Sequence, residues 1–172
     1  MKERPGPHEF SAYSERYIAL VPEGDLIELF RRQGEETERL IRSLTEAQGD
    51  RRYAPGKWSL REVFGHVADN ERIMSARLLR IARGDKTPLP GYDQDELMAE
   101  FPFSGWSLGR LADDYAAVRR STISLLQGLK EEAWTCIGTV GGHPQSARAT
   151  ACIILGHELH HLSVIRERYL PS

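Results

Sequence analysis

The sequence predicts an all-α fold, a four-helix bundle with one long crossover connection. Four stretches of about 20 residues carry apolar side chains at helical spacing, and each follows a residue that suits a helix N-cap. The second and third stretches are separated by a segment rich in proline and glycine. Because 172 residues with 40% hydrophobic content suit one globular unit, a single domain over residues 1–172 is expected.

Composition excludes several classes of function. The net charge of −2 gives no basic excess for a nucleic-acid surface, so no nucleic-acid partner is expected. No apolar run approaches the roughly 18 residues of a membrane span, and residues 1–14 lack the apolar core of a signal peptide. Cys136 and Cys152 are too few for a disulfide framework. These observations predict a soluble, cytoplasmic protein without a membrane partner.

The first part of the chain leads into an amphipathic helix. Residues 1–20 are predicted to be an irregular lead-in, since the sequence PGP at 5–7 favours turns and extended backbone. A helix is expected over residues 25–47 with Asp25 as its N-cap. Its apolar face is formed by Leu26, Leu29, Phe30, Thr37, Leu40, Ile41 and Leu44.

The second helix has the clearest start. Ser59 and Glu62 match a capping box, in which each side chain accepts a hydrogen bond from the other's amide. The helix should continue to about Arg83, where Gly84 provides a C-terminal stop. Its inward face includes His66 and Asn70, which lie one turn apart within an apolar stripe.

Residues 84–106 form the long crossover connection, with one short helix expected near 93–100. Its aromatic residues could line the mouth of a pocket or pack over the end of the bundle. A third helix is predicted to start after Ser107, as its N-cap. Residues 131–146 favour a hairpin built on Gly141 and Gly142. The fourth helix is expected over 147–169, capped by Ser146 and followed by Pro171.

The fourth helix carries three histidines in the sequence GHELHH at 156–161. Residues four apart share a helix face, so His157 and His161 can direct two imidazole nitrogens at one point. His66 on the second helix can provide a third nitrogen, and three protein ligands leave coordination positions open for water or substrate. The alternative is a histidine-rich helix face, or core histidines satisfied by hydrogen bonds.

Four further residues are candidates for orienting these ligands through hydrogen bonds: Asp69, Asn70, Glu158 and His160. His160 also competes with His157 to be a ligand. The motif H-E-x-x-H is present, and in a zinc protease Glu158 would be the general base. A protease is disfavoured because no third ligand follows at the spacing that those architectures use; the only downstream carboxylate, Glu167, lies on the same helix.

The segments PGKWSLREVFGHVADNER at 55–72 and GHELHH at 156–161 resemble the DinB-like superfamily. The similarity is closest to the YfiT-like branch of metal-dependent hydrolases and thiol S-transferases, and it extends over nearly the whole chain. It implies an up-down-down-up four-helix bundle, often a homodimer, with metal ligands at His66, His157 and His161. This ligand set agrees with the one derived from helical faces.

The resemblance also implies an activity. The expected enzyme is an S-transferase that activates a low-molecular-weight thiol at a divalent metal and transfers it to a small electrophile. Zinc or nickel is expected first, with iron, cobalt and manganese as alternatives. Arg77 and Arg168 are candidates for holding an anionic group of the substrate. The alternatives are a hydrolase that uses a metal-bound hydroxide and a non-catalytic, metal-binding stress-response bundle.

Overall fold

The computed structural model describes residues 3–170, so the predicted role of Pro171 lies outside the described residues. In chain order the helices are α1 (Ala12–Ile18), α2 (Leu26–Ser43), α3 (Glu46–Gly49), α4 (Leu60–Ala82), α5 (Gln94–Glu100), α6 (Leu108–Gln127) and α7 (Ala147–Val164). Two short strands, β1 (Ile137–Val140) and β2 (His143–Ser146), complete the regular structure. The bundle consists of α2, α4, α6 and α7, which confirms the predicted fold class.

Contacts along the helices give their directions. Helix α2 contacts α6 through the pairs Phe30–Arg119 and Arg42–Asp113. Helix α4 contacts α6 through Glu71–Arg119, and Arg61 of α4 contacts Trp106, just before α6. His66 of α4 contacts His157 of α7. Ile81 near the end of α4 shares an apolar cluster with Ala147 at the start of α7. Helix α6 is therefore antiparallel to α2 and parallel to α4, and α7 is antiparallel to α4. The topology is up-down-down-up, as expected.

The irregular lead-in predicted for residues 1–20 is wrong over the described part, residues 3–20. Pro7–Glu9 form a 3-10 turn, and α1 follows with Ser11 as its N-cap. Tyr17 and Ile18 are buried in an apolar cluster that includes residues of α7. This segment is too short to show a helical apolar pattern by itself, and its conformation is fixed by packing against α7.

The first predicted helix also ends earlier than expected. Asp25 caps α2 as predicted, and its side chain accepts a 2.9 Å hydrogen bond from the amide of Glu28. The helix stops at Ser43 because Leu44 is extended and Thr45 starts a new capping box with Gln48. The turn α3 therefore replaces the predicted continuation to residue 47.

The other predicted helix starts are confirmed. The amide of Ser59 donates to the Glu62 carboxylate at 2.6 Å, and the Glu62 amide donates to the Ser59 hydroxyl at 3.2 Å. Gly84, with a φ of 80°, ends α4. Asp93 and Ser107 cap α5 and α6 with side-chain hydrogen bonds.

The hairpin forms on Gly141 and Gly142, whose φ angles of 56° and 82° fit the tight turn that paired strands prefer. Leu89 in the crossover connection exchanges backbone hydrogen bonds of 2.9 Å with the hairpin at Thr139 and Gly141. Ser146 caps α7 as predicted. After α7 the chain continues to residue 169 as a π-helical turn, Ile165–Tyr169.

Two aromatic residues of the crossover connection, Phe103 and Trp106, pack over the bundle end. Phe103 is 4% exposed, and its ring lies against Gly65, where a Cβ atom would be 2.4 Å from a ring carbon. Trp106 contacts Phe103 with 5.3 Å between ring centroids. Both interpretations of this segment hold in part, because Phe103 and Trp106 pack over the bundle end whereas Tyr92 lines a cavity. Among the described helices, none combines the length and apolar character that crossing a membrane requires.

The buried pair Glu9–Arg148 predicts a dependence of stability on pH. Arg148 donates two hydrogen bonds, of 2.5 and 2.7 Å, to the Glu9 carboxylate and lowers its pKa from 4.5 to about 2. The contribution to stability should be complete above pH 4.5 and disappear as the pH falls towards 2, because the unfolded chain binds the proton first. We expect Glu9→Gln to cost about 2 kcal/mol at pH 7, and chemical denaturation at several pH values measures it.

The control is Glu28→Gln, which removes an exposed ion pair with Arg31 and should cost less than about 0.5 kcal/mol. A difference between wild type and Glu9→Gln that persists undiminished at pH 2 would contradict the assignment.

Candidate metal centre

Three imidazole rings from two helices converge inside the bundle. His66 lies two turns into α4, and His157 and His161 lie one turn apart on α7. The Nε2 atom of His157 lies 3.0 Å from that of His66 and 3.2 Å from that of His161. One nitrogen of each ring falls within 4.8 Å of the others. The predicted convergence of these three residues is therefore confirmed.

The spacing of the nitrogens fits a single divalent ion. Two nitrogens bound about 2.0–2.1 Å from one ion, at angles between octahedral and tetrahedral, lie roughly 2.9–3.4 Å apart. The two shortest Nε2 separations fall within that interval. An all-nitrogen donor set suits zinc, nickel, cobalt and iron.

Burial keeps these histidines neutral. Desolvation lowers the pKa of His66 to about 4 and that of His161 to about 3. The pKa of His157 is lowered well below 6.5, first by burial and then by the neighbouring His161 and His66. At neutral pH each ring therefore has a nitrogen lone pair that it can donate to a metal ion.

Two aromatic side chains that the sequence did not single out border the cluster. The ring of Tyr17 meets the edge of His157, with 5.4 Å between centroids, and Trp58 lies 4.9 Å from His66. Trp58 stands directly before the capping box, which is a local signal for its position. Tyr17 gave no such signal, because its place depends on the packing of α1 on α7.

A cavity of about 950 Å³ opens beside the cluster, and His157 forms part of its wall. Its walls come from α1, α4, the crossover connection, the hairpin and α7. Its lining includes Tyr17, Asn70, Met74, Arg77, Tyr92 and Ile153. A molecule of metabolite size could therefore reach His157 from the surface.

The residues predicted to orient the ligands are placed differently. Asp69 forms an ion pair with Arg72 at 3.1 Å, and Asn70 donates to the Tyr92 hydroxyl at 2.6 Å. Neither hydrogen bonds to a histidine, which corrects the roles predicted for them. His160 lies outside the converging set. Its ring contacts that of His161, with 5.2 Å between centroids, so an orienting role stays a prediction.

Glu158 points away from the histidines. Its carboxylate accepts hydrogen bonds from Thr37 at 2.6 Å, Tyr115 at 2.5 Å and Gln33 at 2.6 Å, and it forms a close ion pair with Arg119. Successive helical residues point about 100° apart, so Glu158 faces α2 and α6 while His157 faces α4. The predicted orienting role is therefore wrong, and the residue cannot be the general base of an H-E-x-x-H protease.

The two candidate arginines differ in position. Arg77 is half-buried and lines the cavity. Arg168 is exposed on the π-helical turn and does not line the cavity. Arg77 is therefore placed where it could contact a molecule bound in the cavity. The substrate-binding role predicted for Arg168 is corrected, because Arg168 lies outside the cavity.

Comparisons with known proteins agree with this architecture. A family model described as "DinB superfamily" matches residues 29–165. The chain is 28% identical over 139 residues to a Bacillus pumilus protein named "Putative metal-dependent hydrolase", covering 77% of each. The fold is similar to YfiT from Bacillus subtilis, described as "a probable metal-dependent hydrolase with an unusual four-helix bundle topology". That match has a TM-score of 0.70 and 17% identity, and it covers 96% of this chain and 91% of the other.

Proposed function

Because the chain belongs to the DinB superfamily, we propose that it is a metal-dependent enzyme holding one divalent ion on His66, His157 and His161. The observation that carries this proposal is the convergence of three neutral imidazole nitrogens beside a cavity that opens to solvent. Among the described residues no fourth His, Cys, Asp or Glu joins the cluster. An open coordination position favours a catalytic over a structural ion.

We propose zinc or nickel as the ion, with iron, cobalt and manganese as alternatives. When bound at an open three-nitrogen site, such an ion lowers the pKa of a thiol or water that it coordinates. The protein contributes aromatic packing of Tyr17 on His157 and of Trp58 on His66, and it buries both of these histidines. Both features favour one coordination geometry over many.

We propose thiol S-transfer as the reaction. In this reaction the sulfur forms a bond to an electrophilic carbon, the leaving group departs with the bonding electron pair, and the thiol proton passes to solvent. A free thiol has a pKa near 8.5, far below that of water at about 15.7, so it needs less help from a protein base. The smaller need for a base favours a thiol over water here, because Glu158 is turned away from the histidines and the cavity's carboxylates, Asp93 and Asp95, belong to its exposed rim.

Hydrolysis of a small molecule is the second candidate. It is favoured by the names of the similar Bacillus proteins, which are described as metal-dependent hydrolases. The two reactions separate in one assay series on the metal-loaded protein. Loss of free thiol with an electrophile present supports transfer, whereas thiol-independent release of acid from an ester or amide supports hydrolysis.

We also propose that the protein is a homodimer and that it is cytoplasmic. Light scattering coupled to gel filtration tests the dimer, which should appear at twice the 19.5 kDa of one chain.

Metal content tests the centre directly. Elemental analysis of protein purified without an affinity tag should find about one ion per chain. His66→Ala and His161→Ala should each lose it, because two remaining nitrogens hold an ion weakly. The matched control is His143→Ala, which removes an exposed histidine that lines the cavity but lies outside the cluster. A wild type that takes up no ion, or a control that loses it equally, would contradict the proposal.

A further inference from the structure

Arg77 differs from every other arginine that is shielded from solvent. Four arginines of the described chain are buried or half-buried, and three have carboxylate partners. These pairs are Arg61 with Glu46 and Asp50, Arg119 with Glu71 and Glu158, and Arg148 with Glu9. Within residues 3–170, no carboxylate lies within ion-pair distance of Arg77.

The contacts of Arg77 leave most of its hydrogen-bonding capacity unused. One terminal nitrogen donates to the Pro90 carbonyl at 2.6 Å, and the other lies 3.3 Å from the sulfur of Met74, a weak acceptor. The guanidinium also lies 5.4 Å from the centre of the Tyr92 ring. A guanidinium has five N–H donors, and burial here lowers its pKa, so an anion entering the cavity would find a desolvated cation without a counter-charge.

The distance between Arg77 and His66 along α4 determines how long a molecule must be to contact both Arg77 and the histidines. Arg77 follows His66 by 11 positions in the same helix, which corresponds to a rise of about 16 Å. Side chains lean towards the helix N-terminus, so the guanidinium reaches back towards the histidines and shortens this span. One cavity includes both Arg77 and His157 in its wall. A single extended molecule could therefore contact both ends.

Apolar side chains from two helices form part of the wall between the two ends. Met74 on α4 and Ile153 on α7 line it, with Asn70 and Tyr92 already hydrogen bonded to each other. The rim carries Asp93 and Asp95, which would repel a molecule with several negative charges. These features select for one anionic group followed by an apolar segment.

We propose that this cavity takes an extended, singly anionic molecule whose carboxylate binds Arg77. The apolar segment of the molecule lies along Met74 and Ile153, and its reacting group lies at the histidines. The placement of the reacting group rests on the proposed function, whereas the binding of the carboxylate by Arg77 does not. Bidentate pairing with a carboxylate is the geometry that a guanidinium prefers.

Octanoate binding to the metal-free protein tests the carboxylate site alone. Calorimetry should find saturable binding of octanoate to the wild type, and at least about tenfold weaker binding of octanamide, which keeps the chain but lacks the charge. Arg77→Met should lose the preference for octanoate, and Arg77→Lys should retain part of it. Arg168→Met, which removes an exposed arginine outside the cavity, should bind octanoate like the wild type.

Equal affinity of the wild type for octanoate and octanamide, or no binding of octanoate, would overturn the proposal. This comparison uses only the wild type, so a poorly folded Arg77 variant could not obscure it. Octanoate that binds equally well to Arg77→Met would also overturn it.

A bifunctional ligand then separates this inference from the proposed function. Cobalt-loaded protein titrated with ω-mercaptooctanoate should show a sulfur-to-cobalt absorption band, and Arg77→Met should shift its midpoint about tenfold upwards. If octanoate selectivity holds but no band appears, the metal chemistry fails and the carboxylate site stands. If the band appears with the same midpoint in Arg77→Met, the carboxylate site fails and the metal centre stands.

Discussion

Arg119→Met is expected to lower the free energy of unfolding by about 3–5 kcal/mol. Arg119 is 3% exposed and pairs with two carboxylates, Glu71 on α4 at 2.8 Å and Glu158 on α7. Removing the guanidinium leaves two negative charges buried together without a counter-charge. Urea denaturation at pH 7 measures the loss, with the slope of the transition checked for two-state behaviour.

The control for Arg119→Met is a substitution of the next residue on α6, Arg120. Arg120 is exposed, and Arg120→Met should change stability by less than about 0.5 kcal/mol. Adding Glu71→Gln to Arg119→Met should recover part of the loss, because one of the two unpaired charges is removed. Equal stability of the two methionine variants would show that the buried ions do not hold the bundle together.

The same network reaches the candidate metal centre. Glu158 follows His157 directly and is held by Gln33 and Thr37 on α2 and by Tyr115 on α6. These bonds fix the rotation of α7 and so the direction in which its histidines point. Arg119→Met should therefore also weaken metal binding, although Arg119 touches none of the three histidines.

Short-range sequence signals predicted most of the helices of the bundle. Capping residues such as Ser59 and Ser107 gave helix starts that the structure confirms, and the two glycines of the hairpin gave its turn. The pairing of His157 with His161 followed from helix geometry, because positions four apart share a face. In these cases, residues close in sequence determine the structure.

The failures involve contacts between distant segments. The 100° step between helical residues places Glu158 off the helix face that carries His157 and His161. It does not predict the contacts of Glu158 with Arg119 and Thr37, which lie on other helices. Asp69 is an exception, because its partner Arg72 lies three residues further along the same helix. Helix α1 has too few residues for a periodic pattern, and its burial depends on α7. The cavity is built from five segments, so only the assembled fold could reveal it.

Gly156→Ala is expected to detach α1 from the bundle. A Cβ atom at position 156 would lie 1.9 Å from the backbone oxygen of Tyr17 and 2.5 Å from its carbonyl carbon. Backbone atoms cannot rotate away as a flexible side chain can, so α1 must move as a unit. We expect a loss of about 3 kcal/mol or more in unfolding free energy, measured by denaturation.

Gly109→Ala in α6 is the matched control, because its Cβ would meet only the Ser107 hydroxyl, at 3.9 Å. That variant should be neutral or gain up to about 1 kcal/mol from helix propensity. Equal effects of the two alanines would contradict the close approach of α1 and α7.

The consequences for the site distinguish a displaced α1 from general unfolding. Tyr17 packs against His157 and lines the cavity, whereas the three histidines belong to α4 and α7. Gly156→Ala should therefore keep metal binding while it weakens octanoate binding, and hydrogen exchange should accelerate in α1 more than in α4. If metal and octanoate binding were lost together, α1 would be required to form the metal centre itself, because its displacement would then disturb the histidines and not only the cavity wall.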